Sequence, residues 1–132
     1  MQRAIRLAAI ALLLGFGVAP VSAADLTKAS PVGSWQSEDG EAQVKVTMCG
    51  DGTELCARLT GLSGKARTPE NIQLLNTYVL EKAEQANANV WQGTIHFNGE
   101  TASGNITLQS YNTITLRGCN LMACKSFQFN RI

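Results

Sequence analysis

The stretch Thr101-Ala102-Ser103-Gly104-Asn105-Ile106-Thr107-Leu108-Gln109 alternates strictly, with Ala102, Gly104, Ile106 and Leu108 on one face and Ser103, Asn105 and Thr107 on the other. A period of two is the signature of a half-buried β-strand. Working outward, Val90–Phe97 puts Trp91, Gly93, Ile95 and Phe97 on one face, and Asn98-Gly99 between the two runs supplies a hairpin turn. On the other side Tyr111-Asn112 precedes Thr113–Arg117, a tight β-branched run, and Lys125–Arg131 closes the chain with Phe127 and Phe129 on one face.

Toward the N-terminus the same pattern predicts strands over Gly33–Ser37, Glu41–Met48 and Leu55–Leu62, with Asp39-Gly40 and Gly50-Asp51-Gly52 as turns. Thr68-Pro69-Glu70 is a helix start, with a capping hydroxyl followed by proline at the first helical position. It predicts a short helix from Pro69 to Leu75, then a strand from Thr77 to Lys82. Eight short strands joined mostly by tight turns imply an all-β fold. Its simplest form is an eight-stranded up-and-down antiparallel barrel, closed on itself, with one short helix in a connecting loop.

Parity also pairs the four cysteines. Cys49 and Cys56 fall opposite the apolar residues of their strands and flank one hairpin turn; Cys119 and Cys124 have the same outward parity across the last hairpin. The expected disulfides are therefore Cys49–Cys56 and Cys119–Cys124, each closing a short loop and worth roughly 2 kcal/mol on chain-entropy grounds. Zinc is the rival reading, but the spacings and outward-facing thiols do not suit it, and no metal site is expected.

Residues 1–23 read as a cleavable export signal. Arg3 and Arg6 precede an apolar run from Leu7 to Val18, Pro20 breaks it, and Val21-Ser22-Ala23 is a signal-peptidase pattern. About a dozen apolar residues fall short of the ~20 that span a bilayer. The arginines are not adjacent and no cysteine follows the run, so the Sec route is expected, without a lipid anchor. Residues 24–132 then form one domain in the periplasm or outside the cell, an oxidising setting that suits the cysteines. Without Arg3 and Arg6, nine Lys/Arg face ten Asp/Glu, so no basic surplus points to nucleic acid or to an anionic membrane surface.

Gly33-Ser34-Trp35 at the first strand and Arg131 at the last resemble the lipocalin-like barrels, in which an arginine packs across the indole and seals the floor. That resemblance implies that Gly33, Trp35 and Arg131 are a structural plug. The region from 32 to 131 also resembles a bacterial family of small exported domains of unknown function with such a barrel. The matching pieces are Val32-Gly33-Ser34-Trp35, Asp39-Gly40, Cys49-Gly50, Leu55-Cys56, Trp91-Gln92-Gly93, Leu116-Arg117-Gly118-Cys119 and Cys124-Lys125. The sequence departs from that family at His96-Phe97-Asn98-Gly99-Glu100, where an Asp-Pro-Glu turn and a tyrosine are usual. The resemblance implies fold and compartment, not activity.

Catalytic constellations are scarce. His96 is the sole histidine and has outward parity; Asp39 and Asp51 sit in turns with no nucleophile elbow nearby, so no enzyme and no cofactor are expected. The interior is more informative. Parity directs Val44, Val46 and Met48 inward from the second strand and Leu59 from the third. Ile95 and Phe97 follow, then Ile106 and Leu108, Ile114 and Leu116, and finally Phe127 and Phe129. The same parity places Ala42, Ala57, Gly93, Ala102 and Gly104 inside. Small residues leave room for a guest; alternating with large ones they equally serve to fill a narrow barrel.

The leading expectation is thus a lipocalin-like protein that binds or carries a small apolar ligand among those interior residues. Its open end would lie near Ser63–Pro69, the loop that bears Lys65 and Arg67. The alternative is a protein-binding module with a filled core, such as an inhibitor of an envelope hydrolase or a stress-related adaptor, acting through loops and outer face.

Overall fold

The computed structural model describes Gly15, residues 29–97 and residues 99–132. The proposed signal segment lies outside the described residues. The strands are β1 Gly33–Ser37, β2 Ala42–Cys49, β3 Glu54–Leu62, β4 Tyr78–Asn87, β5 Val90–Phe97, β6 Glu100–Ser110, β7 Thr113–Cys119 and β8 Cys124–Arg131. Each pairs antiparallel with the next, and β8 returns to β1, giving a closed eight-stranded barrel. Among the described residues closure leaves no edge strand to template association.

Both disulfides form as parity predicts. Cys119 and Cys124 are direct cross-strand partners, whereas Cys49 and Cys56 are diagonal neighbours, opposite Glu54 and Thr47 respectively. Cys56 is nevertheless buried, so its outward parity does not mean exposure.

Two elements differ from the sequence expectation. The helix, α1, spans only Pro69–Ile72, with the Thr68 side chain accepting from the Asn71 amide and proline at the start as anticipated. A 3-10 turn at Gly64–Ala66 precedes it. Beyond Ile72 the backbone is captured by β3: the Asn76 amide donates to the Leu59 carbonyl at 2.7 Å, and the Leu59 amide to the Thr77 carbonyl at 3.0 Å. Asn76 turns with φ 64°, a left-handed conformation that asparagine tolerates. Tertiary pairing thus cuts the helix short of Leu75.

β4 runs five residues past the expected Lys82 because a bulge carries it through that position, where Lys82 has φ 55° and the pairing with β5 slips between Glu81 and Glu84. The bulge presses β4 against β5 at Gly93, where any Cβ would overlap the Glu81 carbonyl and the Ala83 backbone. Only glycine fits there.

The core is a single cluster that includes Val44, Val46, Leu55, Leu80, Ile106 and Ile114. One end of the barrel is sealed by Trp35, which is fully buried with its Nε1 donating to the Pro31 carbonyl at 2.9 Å. The Arg131 guanidinium stacks 4.2 Å from that indole and 4.5 Å from the Tyr111 ring. It donates to the carbonyls of Tyr111, Val32 and Ser30. Gly33 makes room, since a Cβ there would press on Arg131 Nη1. Gly33, Trp35 and Arg131 thus pack together at this end, with Tyr111 as a second aromatic face that was not anticipated.

Candidate ligand site at the barrel mouth

The opposite end is formed by the β1–β2 turn, the long segment from Ser63 to Thr77, the β5–β6 turn and the tip of the β7–β8 hairpin. An apolar cavity of about 270 Å³ opens there, walled by Val79, Ile95, Leu116 and Phe127, with Asn71, His96 and Lys125 at its polar edge. A second chamber of about 260 Å³ shares Asn71, Val79, Leu116 and Phe127 with it and extends toward Val44, Leu59 and Phe129. The two are neighbouring lobes of one basin. Each lobe alone is slightly below the ~300–1,000 Å³ usual for small-molecule sites.

Of the interior residues expected from parity, Val44, Leu59, Ile95, Leu116, Phe127 and Phe129 converge on this basin. Val46, Ile106, Leu108 and Ile114 are buried in the core and line neither lobe. Ile95 explains part of the filling. Its side chain lies over Gly104 on β6 and Gly118 on β7, occupying the space that the small residues leave. The room expected at Gly104 is thus taken by an isoleucine rather than left for a guest.

Two expected interior residues keep their inward parity but are exposed, for one reason. β1 has only five residues; it begins opposite Val46 on β2 and ends opposite Phe129 on β8. Met48 and Phe127 lie one inward step beyond its two ends, so no β1 side chain covers them. Met48 is 47% exposed and Phe127 55% exposed. Met48 is therefore a surface residue near the sealed end, and Phe127 a half-open wall of the mouth. The side chain of Phe97, also expected inside, lies outside the described residues.

The Ser63–Thr77 segment folds over the mouth rather than projecting from it. Asn71 Nδ2 donates to the Ala66 carbonyl at 2.8 Å, and Glu41 Oε1 accepts from the Lys65 amide at 3.1 Å, tying the loop to β2's approach. The expectation that the open end lies at this loop fits the cavity's position, although Asn71 and Leu74 line the lobes rather than Lys65 or Arg67.

Charged groups border both lobes. Asp39 and Glu41 border the second lobe. The Asp39 carboxylate accepts from Ser37 Oγ at 2.6 Å and from the Glu41 amide at 2.9 Å, and these bonds, the hydroxyl first, hold its pKa below the ordinary 3.8. Across the basin His96 Nε2, on β5, lies 2.8 Å from Glu81 Oε2, on β4, and Lys125 lines the same lobe as His96.

Sequence reasoning passed over Asn71, Val79, His96 and Lys125 as lining residues. For Lys125 a signal was present: it shares the parity of Phe127, Phe129 and Arg131. For Val79 there was none, because register slips between β3 and β4 around Ala57 break the alternation. Among the described residues no group of three or more His, Cys, Asp or Glu is placed to hold a metal ion.

A family model described as an uncharacterized protein conserved in bacteria (DUF2147) matches residues 33–131. No curated protein matches. Among solved structures, a redesigned beta barrel is similar at 15% identity and a TM-score of 0.49, covering 76% of this chain and 90% of that one. That likeness is too slight to bear on function.

Proposed function

The chain belongs to this uncharacterised bacterial family, and on that premise we propose that it is an exported, non-catalytic barrel that holds a small apolar molecule in its mouth. The apolar basin between Val79, Leu116 and Phe127 carries this reading, because it lies at the end opposite the Trp35–Arg131 seal and is open to solvent. The two disulfides support folding in an oxidising compartment. Together with the leader-like residues 1–23 they favour the periplasm, reached by the Sec route, with cleavage before Ala24. The four cysteines are bonded, so none is a free nucleophile, which favours binding over catalysis.

Native mass spectrometry of protein purified from the periplasm tests the reading. A reproducible extra mass lost on unfolding is expected; a bare protein from several growth conditions overturns it.

A second reading, the protein-binding module, is favoured by the β7–β8 tip. Leu121 and Met122 are fully exposed there, on a turn braced by the Cys119–Cys124 disulfide and by Asn120 Oδ1, which accepts from the Met122 and Ala123 amides. A rigid apolar tip is a ready contact for another protein.

A further inference from the structure

The inward face of β8 reads Lys125, Phe127, Phe129, Arg131, with a cation at each end of an apolar pair. The two cations are in opposite states. Arg131 is saturated, stacked between Trp35 and Tyr111 and bonded to three backbone carbonyls. Lys125 borders the apolar cavity, and among the described residues no carboxylate lies within salt-bridge distance of it. A lysine in such a place lays its aliphatic stem along apolar surface and leaves its ammonium at the rim, where an anion is the natural complement.

The carboxylates around the basin are already engaged. Glu81, on β4 across the barrel from β8, is held by His96 at 2.8 Å. Asp39 and Glu41 lie on the β1–β2 turn, next to β8, where Asp39 accepts from Ser37 Oγ and the Glu41 amide and Glu41 accepts from the Lys65 amide. Arg117, on the neighbouring strand, is exposed and has the outward parity opposite to the lining residue Leu116. Lys125 is therefore left, among the described residues, as the rim cation open to an added anion, and Val79, Leu116 and Phe127 offer the apolar bed beside it.

Resting on the carrier reading above, we propose that the mouth site takes an anionic amphiphile, a single apolar chain on Phe127, Leu116 and Val79 with a carboxylate head at Lys125. The head is then held by a hydrogen bond between opposite charges in a partly dry setting, which neither a neutral nor a cationic analogue can make.

Calorimetric titration of the exported protein with decanoate, 1-decanol and decyltrimethylammonium, in the wild type and in Lys125→Met, tests this. Methionine keeps the stem and removes the charge. The expected result is decanoate binding about tenfold more tightly than 1-decanol, with Lys125→Met abolishing that margin and affecting 1-decanol far less. Equal binding of decanoate and 1-decanol overturns the anionic head while leaving the carrier reading intact. So does preference for the cationic amphiphile, or a loss in Lys125→Met that is equal for decanoate and 1-decanol. Binding of none of the three overturns both.

Discussion

Trp35 and Arg131 are direct cross-strand partners on β1 and β8, and the guanidinium lies 4.2 Å from the centre of the indole ring. The contact that closes the barrel is therefore also the one that seals its floor. Because Arg131 also bonds three carbonyls and meets Tyr111 on its second face, its removal should be costly. Arg131→Ala is expected to destabilise by about 3 kcal/mol in urea unfolding, and Arg131→Lys to recover only a minor part, since an ammonium cannot reproduce the planar fork. Full recovery by lysine would reduce the plug to a simple charge.

The two phenylalanines of β8 should behave differently. Phe129 is 5% exposed and Phe127 is 55% exposed. Phe129→Ala should cost about 3–5 kcal/mol, as for other buried phenylalanines, and Phe127→Ala less than half as much. Only Phe127→Ala should weaken an apolar guest without a comparable loss of stability, measured by pairing denaturation with titration.

Ile95 and Gly104 test whether the middle of the barrel is filled. A Cβ at Gly104 would overlap Ile95 Cγ1, so Gly104→Ala should destabilise by about 1–3 kcal/mol through overpacking. Combining it with Ile95→Ala, which removes both Cγ1 and Cδ1 from that spot, should cost less than the sum of the two single changes. Additive costs in the double variant would mean that the two residues do not share the space.

The disulfides should differ in worth. Replacing Cys49 and Cys56 together by serine places a hydroxyl at buried position 56, whereas position 124 is exposed. Loop closure contributes a similar ~2 kcal/mol to each, so the Cys49/Cys56 double variant should lose about 1 kcal/mol more than the Cys119/Cys124 one. Unfolding without reductant measures the difference.

Asp39 should leave a mark on acid stability. Its folded-state pKa is lowered by Ser37 Oγ and the Glu41 amide, so its contribution is fully present above the unfolded value near 3.8 and is lost as pH falls through the lower folded value. Asp39→Asn should flatten the pH dependence of stability below about pH 4 while changing its shape little at pH 7. An unchanged acid limb would mean that the turn's hydrogen bonds do not favour the ionised carboxyl.

How far each feature could be read from the chain follows its range. Strand faces, turn positions and both cysteine pairings were legible because alternation is a local property of the extended backbone, and a hairpin joins neighbours in sequence. The helix beyond Ile72 was not legible, because Leu59, remote in sequence, captures Asn76 and Thr77. Nor was the bulge at Lys82, which exists only where β4 must fit against Gly93.

The candidate site divides along the same line. The amino-acid sequence by itself determined which side chains face inward and that a tryptophan and an arginine meet at one end. The tertiary structure decided how deep each inward residue lies. β1 is too short to cover either Met48 or Phe127, so equal parity gives core at Val46 and Phe129 and exposure one step beyond. Depth depends on where neighbouring strands end, and that is set by the closure of the whole barrel rather than by any one strand's pattern.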